Sequence, residues 1–134
     1  MRELRPNFVT VIAGIYDPGT GDLTYAKAGH APPIVLGTDH APAAEELVPP
    51  IGLGVGEEWP EYRVRLGEGL SVCFFTDGLQ DAEVGDARLG RDAVEQMLAA
   101  HDVPDAGRLL GDLEGVADRV CDDTAAVVLS RRRS

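Results

Sequence analysis

The chain alternates between short apolar runs and glycine- or proline-bearing breaks for most of its length, and takes up a helical period only in its last third. Phe8 to Tyr16 is rich in β-branched and aromatic residues and apolar on both alternating faces, which predicts a central strand covered on both sides. Asp17-Pro18-Gly19-Thr20-Gly21-Asp22 combines the fixed φ of proline with the freedom of glycine, so the chain should reverse into a second strand, Leu23 to Ala28. A Gly29-His30-Ala31-Pro32-Pro33 corner leads to a short strand, Ile34 to Leu36, and the polar stretch from Gly37 to Pro50 reads as a surface loop. Three glycines in Ile51 to Gly56 predict a tight bend.

Tyr62 to Leu66 alternates as a strand with one wet face does, whereas Leu70 to Phe75 is apolar throughout and should be buried. After Gly90 the period lengthens. Ala93, Val94, Met97 and Leu98 share one helical stripe, with His101 in the last turn and Pro104 beyond it. Asp105 can cap a second helix whose stripe runs from Ala106 through Leu109, Leu110, Leu113, Val116 and Ala117 to Val120. Gly107, Gly111 and Gly115 each weaken that helix by about 1 kcal/mol relative to Ala. Thr124 to Leu129 makes a final apolar strand, and Arg131 to Arg133 reads as a solvated tail. Strands followed by helices give an α+β class, and 134 residues suit one domain, residues 1–134.

Charge narrows the function. Twelve basic and 23 acidic side chains leave a net charge of −11, which repels a nucleic-acid backbone or an anionic membrane. No apolar run approaches the roughly 18 residues of a membrane span, and Met1-Arg2-Glu3-Leu4 opens no signal-peptide pattern, so a cytoplasmic location with neither nucleic-acid nor membrane partners is expected. Cys73 and Cys121 are too few and too far apart for a disulfide framework or a zinc site, and both read as core filler. Neither is followed by the Arg that a cysteine-based phosphatase needs. No nucleotide loop of the Gly-x-x-x-x-Gly-Lys type is present.

Two acidic positions are tied to the ends of buried strands: Asp77 follows Leu70 to Phe75, and Asp122-Asp123 precedes Thr124 to Leu129. Should those ends adjoin, the carboxylates repel one another by about 4 kcal/mol at 4 Å and an effective dielectric near 20, and so call for a cation or a raised pKa. An all-oxygen donor set suits magnesium or manganese rather than zinc. The same residues have a plain reading, since Asp-Gly is a common turn dipeptide and Asp-Asp before a strand is often solvated. His30 is expected to hold its own loop, and His40 and His101 to lie on the surface without acidic partners. Trp59 and Tyr62 are expected over a core edge.

Taken together, these segments resemble a known family. Tyr16-Asp17, Gly21-Asp22-Leu23-Thr24-Tyr25-Ala26-Lys27-Ala28-Gly29-His30-Ala31-Pro32-Pro33, Pro50-Ile51-Gly52-Leu53-Gly54, Phe75-Thr76-Asp77-Gly78-Leu79 and Asp122-Asp123-Thr124-Ala125 follow, in order and spacing, the PPM-type (protein phosphatase 2C-like) phosphatases of the SpoIIE-like branch. The resemblance implies an α-β-β-α layered sandwich of antiparallel sheets, of which this chain carries the C-terminal two thirds, the N-terminal strands and two helices missing. It implies two Mn2+ or Mg2+ ions that activate a bridging water against phosphoserine or phosphothreonine, so that no side chain is itself catalytic. Asp77 and Asp122 would be metal ligands, with Asp123 a weaker candidate, and the Gly29-His30 corner would lie nearby. Substrates in that branch are phosphorylated anti-sigma-factor antagonists of bacterial signalling.

The family's Gly-Asp strand and Asp-x-x-Gly-x-Gly turn, which supply the bridging ligand, have no counterpart before Phe8. The resemblance therefore implies an incomplete metal centre and a bare sheet face. Two readings follow beside the plain one of an acidic globular domain: a metal-dependent serine phosphatase acting on a phosphoprotein, or a non-catalytic degenerate phosphatase that binds a partner or forms a homodimer through the exposed sheet.

Overall fold

The computed structural model describes residues 9–37, 50–52 and 58–132. The expected loop from Gly37 to Pro50 and the bend from Ile51 to Gly56 lie mostly outside them. The class is α+β with antiparallel sheets, as the family resemblance implies. The chain divides into two compact units, one of Met1–Pro32 with Ala43–Leu66 and one of Pro33–Pro42 with Gly67–Ser134.

The first unit is a sheet of β1 (Val11–Asp17), β2 (Asp22–Ala28) and β4 (Glu61–Arg65), with β2 in the middle. The second unit includes β3 (Ile34–Leu36). The β1–β2 hairpin forms as expected: Gly21, at φ 82°, donates its N–H to the Asp17 carbonyl at 2.8 Å, a conformation that an L side chain rarely adopts. In β2, Leu23, Tyr25 and Ala28 are buried, and β4 alternates between exposed and half-buried positions. Tyr62 stacks on Tyr25 at 5.6 Å between ring centroids, and the buried Lys27 ammonium lies 5.8 Å from the Tyr62 ring. The Arg65 guanidinium hydrogen-bonds the Asp22 carboxylate at 3.0 Å and holds its pKa below the usual carboxylate range.

One expectation fails here. Among the described residues β1 pairs with β2 alone and is an edge strand, with Ala13, Gly14 and Ile15 exposed. A run apolar on both faces does not distinguish a central strand from an edge whose outer side is uncovered.

The second unit carries the sheet β3-β5-β8, built with β5 (Ser71–Phe75) and β8 (Ala126–Ser130). Between β5 and β8 lie α1 (Asp77–Gln80), the small hairpin of β6 (Glu83–Val84) and β7 (Ala87–Arg88), α2 (Arg91–Ala99) and α3 (Ala106–Val116). Val94, Leu98, Leu109 and Leu113 from the two longer helices join Ile34, Cys73, Phe75, Leu79 and Ala82 in one core. Each fully buried aliphatic side chain contributes about 1.5–3 kcal/mol.

Asp105 caps α3 as expected, its carboxylate accepting from the Arg108 N–H at 2.8 Å. Three other expectations are corrected. The helix ends at Val116, and Val116 and Val120 are exposed, because residues 118–119 leave to pair with Glu83. His101 lies past the end of α2 and meets an acid: its Nε2 is 3.1 Å from Asp112 Oδ2 across the helix pair. Arg131 continues the sheet rather than starting a solvated tail, donating its N–H to Leu70 and accepting from Gly69.

The crossing of β5 and β8 is tight. A Cβ on Gly78 would collide with the Asp123 carbonyl oxygen and lie 3.0 Å from that of Asp122, both backbone atoms with no freedom to yield. Cys73 is fully enclosed and burial pushes its thiol up to about 11, whereas Cys121 is exposed, so only one of the two is core filler.

Gly78→Ala should lower unfolding stability by about 1–3 kcal/mol, while Gly111→Ala in α3, whose Cβ would meet nothing within 4 Å, should raise it by about 0.5–1 kcal/mol. Urea titration of both variants reads the opposite signs. A neutral-pH thiol reagent should label Cys121 alone in the native protein and both cysteines after denaturation. The Cys73 proton is held more tightly in the folded than in the unfolded state, so its contribution to stability is intact below pH 9 and declines as pH rises from about 9 to about 11. A Cys73→Ala variant should show a shallower loss across that window.

Candidate functional site

Asp77 and the Asp122-Asp123 pair stand at one end of the β3-β5-β8 sheet, where β5 finishes and β8 begins. Thr76 joins the two segments. Its N–H donates to the Ala125 carbonyl at 3.0 Å, and its hydroxyl accepts from the Ala125 N–H at 2.9 Å and donates to the Asp123 carbonyl at 3.2 Å. With Gly78 seated against the Asp122 and Asp123 carbonyls, the backbones that carry the three acids are in contact. The sequence places Asp77 and Asp122 45 residues apart by number (122 − 77), and the antiparallel β5–β8 ladder closes that gap.

A second clamp lies beside the first. Glu83 N–H donates to Arg119 O and Asp118 N–H to Glu83 O, each at 2.8 Å, and the Asp118 carboxylate accepts from the Gly85 N–H at 2.6 Å. The chain leading to Asp122 is thus pinned to the hairpin that follows Asp77.

The carboxylates themselves are exposed. Asp77 is the first residue of α1, and its Oδ1 accepts from Gln80 Nε2 at 3.3 Å. Asp122 Oδ1 accepts from the N–H of the next residue, Asp123, at 2.7 Å, a local bond that holds the side chain against its own backbone. Among the described residues, no three His, Cys, Asp or Glu side chains gather closely enough to hold a metal. The donor chemistry is nonetheless that of a hard cation: magnesium is commonly held by only one or two carboxylates and keeps several waters. The residues therefore fit a partial, water-completed coordination and do not fit a closed cage.

Two contributors to this end of the sheet carry no sequence signal of their own. Thr76 is visible only as the residue before Asp-Gly, and its role depends on Ala125. Arg91 opens α2, where the helix dipole disfavours a cation. It donates from Nη2 to the Pro33 carbonyl at 2.9 Å and lies 5.6 Å over the Phe75 ring, bracing the last residue of β5. His30 holds its own loop, its Nδ1–H donating to Ala31 O at 2.8 Å.

Comparison with known proteins agrees with the motif resemblance. The model of the family "Stage II sporulation protein E (SpoIIE)" matches residues 1–132. The structure of the RsbU and RsbW domains of Rv1364c from Mycobacterium tuberculosis is similar at 25% identity and a TM-score of 0.64, over 92% of this chain and 36% of that one. Two structures of the phosphatase domain of the cell-fate determinant SpoIIE from Bacillus subtilis share the fold. The Mn-presoaked one has 14% identity and a TM-score of 0.66 over 93% of this chain and 57% of that one. The other has 16% identity and a TM-score of 0.64 over 97% and 61%. The chain thus spans less than two thirds of the length of each, matching part of the phosphatase domain. The chain belongs to the stage II sporulation protein E family, the SpoIIE-like branch of the PPM-type phosphatases.

Proposed function

We propose that this chain is the metal-binding portion of a cytoplasmic, Mn2+- or Mg2+-dependent phosphatase that hydrolyses phosphoserine or phosphothreonine on a bacterial signalling protein, by family an anti-sigma-factor antagonist. One observation carries the reading: Thr76 and Gly78 lock the segment bearing Asp77 against the segment bearing Asp122 and Asp123. Family membership and the phosphatase folds of the similar structures support it. Among the described residues no helix is long and apolar enough to cross a membrane.

In this reading Asp77 and Asp122 bind the cation and Asp123 acts beside them. Bound there, a divalent ion supplies Lewis acidity and a nucleophile active at neutral pH. The chain's own contribution is position. The backbone contact sets the spacing of the segments that bear the carboxylates, the bond from the Asp123 N–H limits the rotation of Asp122, and the exposure of all three leaves a large phosphoprotein room to approach. Cys73 takes no part, since its thiol is enclosed and stays protonated at neutral pH. The lack of a three-ligand cluster among the described residues favours, as a second reading, a non-catalytic module that keeps the fold for partner binding.

Hydrolysis of an aryl phosphate should require Mn2+ and fall by about 100-fold or more in Asp77→Asn and in Asp122→Asn. A phosphoserine peptide should be cleaved in preference to a phosphotyrosine one. Mn2+ at about 100 times its Kd should stabilise the wild type by about 2.7 kcal/mol and leave Asp77→Asn unmoved. Stabilisation without turnover selects the non-catalytic module. The absence of both turnover and stabilisation sinks the metal reading altogether.

A further inference from the structure

We propose that Gln80 is a positioning residue for the candidate metal ligand Asp77: its side-chain amide holds one carboxylate oxygen and leaves the other for the cation. The inference rests on the metal-dependent reading above and gives a role to a residue that lies outside the motifs.

The helix α1 is a single turn, Asp77–Gln80. Its backbone is closed by the Asp81 N–H on the Asp77 carbonyl at 2.9 Å and by the Leu79 N–H on the Thr76 carbonyl at 3.2 Å. Residues three apart face one another on such a turn, and a glutamine there is placed to donate to an aspartate. Gln80 does so, its Nε2 lying 3.3 Å from Asp77 Oδ1. Among the described residues Asp77 Oδ2 has no hydrogen-bond partner. The amide is carried by fixed backbone: Gly90, at φ 83°, donates its N–H to the Gln80 carbonyl at 2.8 Å, and the Leu89 N–H donates to the Ala82 carbonyl at 2.8 Å. Gln80 is half-buried and Asp77 exposed, so the donor is the more confined of the two.

Charge explains why the residue is a glutamine. An acid at this position would stand beside Asp77 as a like charge, and a lysine would pair with the carboxylate and compete with a divalent ion. A neutral donor fixes the carboxylate and keeps its full negative charge for the cation. Asp81, four residues after Asp77, is an acid at helical spacing, and it is engaged instead by Arg88, whose Nη1 lies 3.5 Å from its Oδ1. Asp122 repeats the arrangement, with Oδ1 taking the Asp123 N–H at 2.7 Å and Oδ2 without a hydrogen-bond partner among the described residues. Both candidate ligands thus commit one oxygen to a neutral local donor and keep the other open. Hydrogen bonds to ligating carboxylates govern metal affinity by about 10-fold to 100-fold, and a 3.3 Å contact at a solvent-facing site belongs at the lower end.

The experiment titrates Mn2+ into the full chain and follows the free ion by its EPR signal. Gln80→Met keeps the length of the side chain and removes the donor. Its Kd for Mn2+ should rise by about tenfold, with the urea midpoint in EDTA unchanged. Gln96→Met, at an exposed position of α2, alters the other glutamine of the chain and should leave the Kd where it was. Without metal, the side-chain amide NMR signals of Gln80 should shift in Asp77→Asn while those of Gln96 stay in place. Equal Mn2+ binding by Gln80→Met and the wild type overturns this proposal and leaves the metal reading standing. So does a Gln80 signal unmoved in Asp77→Asn, or a weaker Kd that comes with a matching loss of stability in EDTA. A wild type that takes up no Mn2+ to about 10 mM overturns both.

Discussion

The contact between the end of β5 and the approach to β8 is the constraint on which the rest of the second unit depends. Thr76 spends its backbone N–H and both functions of its hydroxyl on residues 123 and 125, and Gly78 lets the Asp122 and Asp123 carbonyls come closer than any side chain would allow. The chain leaves β5, passes through two helices and returns to the neighbouring strand β8, and this contact brings together the backbones that bear the exposed carboxylates. The core beneath it supplies most of the free energy, because Leu79, only two residues after Asp77, is fully buried among the helix side chains.

This arrangement separates stability from chemistry. The groups that hold the crossing together are neutral and backbone-directed, so the acids beside them remain exposed and free of structural duty apart from local closures at Asp77 and Asp122. A carboxylate placed in this way keeps its hydration until a cation replaces part of it, and the cost of desolvating a charge is largely avoided. Arg91 shows the opposite economy. A cation at the start of a helix is electrostatically unfavourable, yet its bond to Pro33 and its position over Phe75 tie β3 to β5 at the end where the acids stand.

Net charge bears on how copies of this molecule meet. A chain of −11 keeps its copies apart, and that repulsion is a general protection against the pairing of open strands. The Asp22–Arg65 pair joins β2 to β4 and closes within the chain.

Much was legible in the one-dimensional pattern because it depends on neighbours in sequence. The β1–β2 hairpin follows from Pro18, Gly19 and Gly21, the buried strand Ser71–Phe75 from an unbroken apolar run, the Asp105 cap from one side chain, and the family from motifs that keep their order. What depended on distant partners was not legible. A two-sided apolar run could not tell that β1 lies at an edge, since that is decided by which strands stand beside it. A helical stripe continuing to Val120 could not reveal that Glu83 draws residues 118–119 out of the helix, and no spacing rule joins His101 to Asp112. The sequence alone determined which residues carry oxygen donors of the kind a hard cation takes and which segments form strands and helices, because propensity, turn chemistry and donor type are local properties. The tertiary structure decided that Asp77 stands beside Asp122, that Cys73 is silenced while Cys121 is open, and that Arg131 belongs to a sheet, because each is set by backbone hydrogen bonds and burial between residues remote along the chain.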